Sequence, residues 1–206
     1  RMAFVNIEDV RKLYNDKKST NVLELMEWCI NNKPISLQDY KNQVLEDIFT
    51  LLDFNSNDNV LDVGCGCGIL LDTIEEKCKS TLGIELSKNL IKNKVCKTNI
   101  LEGDLLKMKL DRKFTKIICY SVALHFPKMN YFIDTLDKTI SLLSIDGIAL
   151  IGDLQWKNHS NYFSPEWNKL IPYLSEKQNI DFKICSQSKI KRSLNPRINL
   201  IIKKLK

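Results

Sequence analysis

The sequence predicts an α/β fold, a mostly parallel sheet carrying helices on both faces. Three observations predict it. From Asn59 onward, short apolar, β-branched runs alternate with stretches of helical periodicity, the pattern of right-handed βαβ crossovers. Two of the runs, KIICYSV and IALIGDL, are apolar almost throughout, as strands covered on both faces must be. The opening run, NVLDV, leads straight into GCGCG, a glycine-rich turn at the start of a helix.

Taken in order, residues 1–55 read as a helical cap. LYNDKKSTNVLELMEWCINN and LQDYKNQVLEDIFTLLDF both carry apolar residues at three- and four-residue spacing, with a break at Lys33-Pro34. Residues 56–206 then follow the alternating pattern. NVLDV (strand) precedes ILLDTIEEKC (helix), STLGIEL (strand) precedes SKNLIKNKVC (helix), and TNILEGD and KFTKIICYSV are strands. PKMNYFIDTLDKTISLLS is a helix and DGIALIGDL a strand. IDFKICSQS and RINLIIKKL complete seven strands; the loop between them has no room for a helix, so this last pair is expected to be antiparallel. Residues 155–179, rich in aromatics and interrupted by Pro165 and Pro172, read either as a lid over a substrate or as a packed helix.

Composition narrows the functional classes. At 206 residues, with 44% apolar and 27% charged content, the chain suits one globular domain with a sizeable core. No apolar run approaches the roughly 18–20 residues that span a bilayer. RMAFVNIEDVRKLYND lacks the apolar centre of an export signal, and Met2 is the expected natural start. The seven cysteines are odd in number and include no CxxC, which argues against a disulfide framework or a zinc site and for reduced thiols in a cytoplasm. No metal is expected. The net charge of +6 is local: eight Lys/Arg follow Phe182 with no acid among them, leaving residues 1–182 at −2. Such a basic tail is usually a solvated face, so nucleic acid is not the expected partner.

The chemistry concentrates in Asp62-Val63-Gly64-Cys65-Gly66-Cys67-Gly68. Glycines let the backbone approach a ligand, and the helix start offers free N–H groups. A dinucleotide fingerprint reads GxGxxG; here the spacing is GxGxG, and Asp62 stands two residues before it. A carboxylate there would repel a pyrophosphate but suit an ammonium or sulfonium group.

This run resembles motif I of the class I S-adenosylmethionine-dependent methyltransferases. Glu85 in GIELS, Asp104 in EGDLL and the segment CYSVALHF fall where that family places its later motifs. The resemblance implies a Rossmann-like sheet of order 3-2-1-4-5-7-6, counted from the NVLDV strand. It implies S-adenosylmethionine as cofactor and S-adenosylhomocysteine as product. Glu85 would take the ribose hydroxyls, and Asp104 with Leu105 the adenine. The whole donor site would comprise Tyr40, Asp62, Gly64, Cys65, Gly66, Glu85, Leu86, Asp104, Leu105 and Tyr120.

The acceptor side is less specified. His125, just after the fourth strand, is the candidate base; Asp153, Trp156 and His159 join it as candidate acceptor-binding residues. CYSVAL lacks the [DN]PP[YF] tetrapeptide of exocyclic-amine nucleic-acid methyltransferases, and no Pro-Cys nucleophile is present. The expected reaction is therefore methyl transfer to oxygen or nitrogen of a small polar metabolite, a sugar or phospho-metabolite among the options. The alternatives are RNA or protein methylation steered by the basic tail, and a regulatory protein that binds the donor without turnover.

Overall fold

The computed structural model describes residues 4–30, 33–156, 162–187 and 197–205. Among these, seven strands form one sheet: β1 (Asn59–Val63), β2 (Ser80–Glu85), β3 (Ile100–Glu102), β4 (Phe114–Tyr120), β5 (Leu143–Gln155), β6 (Ile180–Ser186) and β7 (Arg197–Lys204). Their spatial order is β3-β2-β1-β4-β5-β7-β6, as the family resemblance implied. Strands β1 to β5 pair in parallel, and β7 runs antiparallel to both β5 and β6. The ten residues 187–196 are too few for a crossover helix, which forces this reversal.

Strand periodicity divides the core into two layers. Ile117 and Cys119 of β4 point to one face, where Phe132, Leu136 and Ile140 of α6 (Met129–Leu142) and Leu170 and Leu174 of α7 (Trp167–Ser175) cover them. Ile118 points to the other, against Val44, Ile48, Ile69 and Ile74. Both faces being buried explains why the central strands carry no polar alternation. The helical part of the aromatic segment thus belongs to the core.

The N-terminal segment is less helical than its periodicity predicts. Helix α1 (Ile7–Asn15) opens with a capping box, in which Asn6 accepts from the Glu8 and Asp9 N–H groups and Asp9 accepts from that of Asn6. The chain leaves the helix at Asp16, forms the single turn α2 (Val22–Leu25) capped by Asn21, and pairs Cys29–Ile30 with Lys33–Pro34. Side chains of Asn21 and Ser36 bond nearby backbone N–H groups, and such local bonds start new turns rather than prolong old ones. Helix α3 (37–51) passes through a π-helical stretch at Lys41–Leu45. The shorter helices α4 (Ile69–Ile74) and α5 (Lys88–Lys92) follow β1 and β2.

A buried polar clamp ties α3 to the ends of β4 and β7. Asp47 Oδ2 accepts from the Tyr120 hydroxyl (2.7 Å) and from Asn199 Nδ2 (2.8 Å), and Gln187 donates to the same Tyr120 hydroxyl. The Tyr120 ring lies on Gly152, where a Cβ would stand 2.2 Å from Cδ2 and 2.9 Å from Asn199 Oδ1. Neither neighbour is free to move, since Asp47 holds both. Gly152→Ala should therefore cost about 2–3 kcal/mol, the upper range for overpacking, read as a lowered urea midpoint at unchanged m-value.

Candidate functional site

A cavity of about 120 Å³ lies at the carboxyl ends of β1, β2 and β4, where the strand order reverses. Gly64, Gly66 and Gly68 adopt left-handed φ values of 70°, 58° and 78°. Side chains are excluded there by space as well as by torsion. A Cβ on Gly64 would meet Val122 Cγ2 at 2.5 Å, and one on Gly66 would meet Met26 Cε at 2.8 Å. The backbone of the turn is thus pressed between the segment after β4 and the segment after α2.

Two carboxylates share the buried floor. Glu85 Oε2 accepts from the Gly66 N–H and Oε1 from the Ser87 N–H, both at 2.9 Å, so this side chain braces the turn. Burial raises its pKa, against the opposing pull of those N–H donors. Asp62 is pushed up to about 7, first by burial and then by the Glu85 charge. Asp104 Oδ1 caps the short turn Leu105–Lys107 through the Leu106 N–H (2.9 Å) and also accepts from the Tyr131 hydroxyl (2.8 Å). Asp104 is thus both a cap and a wall of the cavity.

Helix α1 forms the roof. Ile7, Val10 and Tyr14, one stripe of its apolar face, line the cavity, and Asn89 pins the helix end by donating to the carbonyls of Tyr14 and Lys17. The Tyr14 hydroxyl lies 2.9 Å from His125 Nε2 and 3.3 Å from Glu27 Oε2, and Glu27 pairs with Lys17 (2.9 Å). Rings of Phe4, Tyr14 and Tyr162 meet the His125 ring edge-on at 5.6–5.8 Å between centroids.

All ten expected donor residues and His125 come together on this cavity. Asp153 and Trp156 do not line it. Asp153 is 1% exposed and turned to Ser121, at the point where the pairing of β5 with β7 is irregular, between Ile151 and Leu154. Trp156 stacks on Trp167 and is 40% exposed. His159 lies outside the described residues. Tyr14, Met26, Ser121 and Tyr131 are wall residues that sequence reasoning missed. Two of them left a signal: Ser121 lies in the CYSVALHF segment, and Tyr14 sits on the Ile7/Val10 stripe, which marks a buried face without saying what it covers.

Among the described residues, no cluster of His, Cys, Asp or Glu could hold a metal ion, and no helix is long and apolar enough to cross a membrane. A glycine turn at the switch point of a 3-2-1-4-5-7-6 sheet, with acids beside the ends of β1, β2 and β3, is the arrangement that the resemblance to S-adenosylmethionine-dependent methyltransferases implied. The chain belongs to a family described as methyltransferase domain, whose model matches residues 37–195. It is 32% identical over 63 residues to an uncharacterized methyltransferase of Schizosaccharomyces pombe, a match covering 28% of this chain and 24% of that protein. The chain thus spans about a quarter of the length of the curated relative it matches.

Solved structures share the fold at low identity. Phosphoethanolamine N-methyltransferase 1 of Haemonchus contortus, in complex with phosphoethanolamine and S-adenosylhomocysteine, superposes at TM-score 0.75 and 16% identity, over 96% of this chain and 48% of that one. Magnesium protoporphyrin IX methyltransferase of Synechocystis, with bound S-adenosylhomocysteine, gives 0.72 at 12% identity, over 97% and 100%. The cavity's own chemistry fits S-adenosylmethionine, with buried carboxylates for its cationic and hydroxyl groups and glycines where a Cβ would fill the cradle.

Proposed function

We propose that this methyltransferase acts on oxygen or nitrogen of a small polar metabolite, with Tyr14 and His125 handling the acceptor's proton. The observation that carries the reading is the Tyr14–His125 contact on the wall of a cavity roofed by α1. Asp62, Gly64, Gly66, Glu85 and Asp104 hold the donor. Bound there, S-adenosylmethionine supplies an electrophilic methyl group on a sulfonium centre.

Much of the acceleration then comes from alignment, which α1 and the glycine turn enforce by fixing the walls on either side. A neutral amine attacks through its lone pair and sheds a proton afterwards, whereas a hydroxyl acceptor must lose its proton as it attacks. Tyr14 can take that proton at its hydroxyl oxygen while passing its own to His125 Nε2, so charge moves to the imidazole without a free hydroxide. Roofing by α1 also favours a small acceptor over a polymer strand. The test is incubation of the protein and labelled S-adenosylmethionine with a cell extract. Label in the small-molecule fraction supports the reading; label retained only on RNA or protein overturns it.

Donor binding should depend on pH through Asp62. The unliganded folded chain holds the Asp62 proton up to about 7, whereas the unfolded chain loses it near 3.8. Stability from this group is therefore full at low pH and lost as pH rises through that window. A ligand cation against Asp62 favours the ionised form, so binding below pH 7 releases a proton. S-adenosylhomocysteine, whose ammonium remains, should bind about tenfold more weakly at pH 6 than at pH 8, and Asp62→Asn should flatten the profile. Titration calorimetry in buffers of different ionisation enthalpy counts the released proton.

A further inference from the structure

We propose that Ser121 receives the acceptor's own N–H or O–H, and that Asp153 is the positioning residue that fits it for this; the inference rests on the methyl-transfer reading above. Two residues that are not glycine adopt left-handed backbone toward the carboxyl ends of the neighbouring strands β4 and β5, Ser121 just after β4 at φ 58° and Asp153 among the last residues of β5 at φ 61°. They face each other. The Ser121 N–H donates to the Gly152 carbonyl (3.2 Å), and its hydroxyl donates to Asp153 Oδ2 (2.6 Å). Such torsions are unfavourable for side-chain-bearing residues and persist only where the surroundings over-determine them, most often at functional sites.

The surroundings do so here from β7. Asn199 Oδ1 accepts from the Asp153 N–H (3.2 Å), and Arg197 Nη1 donates to the Asp153 carbonyl (3.2 Å). Arg197 Nε lies 3.8 Å from Oδ1, offsetting the buried charge. Ser121 reaches the cavity wall alongside Tyr120, Asp62, Tyr14 and His125; Asp153 does not. This division fixes the chemistry. The serine proton is committed to the carboxylate behind it, so toward the cavity Ser121 Oγ presents lone pairs alone.

The group it takes must bring a hydrogen: an amine or a hydroxyl. A carboxylate or thiolate acceptor would meet lone pairs backed by a buried anion and be repelled. Ser121 accepts a hydrogen bond and takes no proton, which leaves proton removal to the Tyr14–His125 pair. Acceptor class is thereby set to N–H and O–H nucleophiles, with the attacking atom oriented by the bond it donates.

Sinefungin, in which a primary amine stands in place of the transferable methyl, probes this contact without knowledge of the acceptor. Calorimetry would compare its Kd with that of S-adenosylhomocysteine in wild type, Ser121→Gly, Ser121→Ala and Asp153→Asn. Glycine accepts the left-handed torsion freely, so a folded Ser121→Gly protein separates the contact from misfolding. The expected result is sinefungin binding weakened about tenfold in both Ser121 variants and less in Asp153→Asn, with S-adenosylhomocysteine unchanged. Equal effects on both ligands, or none on either, would overturn the assignment. Absence of S-adenosylhomocysteine binding by wild type would overturn the methyl-transfer reading itself, and this proposal with it.

Discussion

His125→Gln should lower kcat by about 10²–10⁴-fold, the usual contribution of a positioned acid–base group, with the Kd for S-adenosylhomocysteine changed less than about twofold. The geometry predicts this split. His125 touches Tyr14 through Nε2, whereas the donor cradle is built from the glycine turn and the acids of β1 to β3. Tyr14→Phe keeps the edge-on ring packing around His125 but removes the hydroxyl, and should lose most of the same factor. If the two act as one relay, the double variant falls little below either single one. Fully additive losses in single-turnover kinetics would show two independent roles instead.

Glu85→Ala should raise the Kd for S-adenosylhomocysteine about tenfold or more, since hydrogen bonds to a charged group contribute roughly 1.5–3 kcal/mol. The same change orphans the Gly66 and Ser87 N–H groups that Glu85 now satisfies, so a loss of stability of about 1–3 kcal/mol should accompany it. Glu85→Gln separates the two effects by retaining an acceptor without the charge. It also removes the second cause of the raised Asp62 pKa, so the pH midpoint of donor binding should move below 7. A midpoint that stays in place would mean that burial alone sets Asp62.

Much of this is legible in the sequence. The glycine turn and the alternating strands depend on local pattern, and Asp62, Glu85 and Asp104 sit at or beside the carboxyl ends of their strands, which converge in a parallel sheet; the strand order came from the family resemblance that these motifs carry. Asp153 shows where pattern stops. It too closes an apolar run, yet β5 continues to Gln155 with irregular pairing between Ile151 and Leu154, and the Asp153 side chain is turned to Ser121. An irregularity of this kind leaves no trace in periodicity.

The N-terminal helices show the same limit from the other side. Their apolar stripe told that something is covered; only packing told that Tyr14 descends onto His125, 111 positions along the chain. The sequence by itself determined the alternating strands and helices and the glycine turn, since these follow from short-range periodicity, and its motifs carried the resemblance that implied the strand order and the donor acids. Tertiary structure decided which groups meet across the cavity: Tyr14 with His125, Ser121 with Asp153, Tyr131 with Asp104. Such pairs join segments far apart in the chain, and their geometry is set by how whole elements pack rather than by any residue's neighbours in sequence.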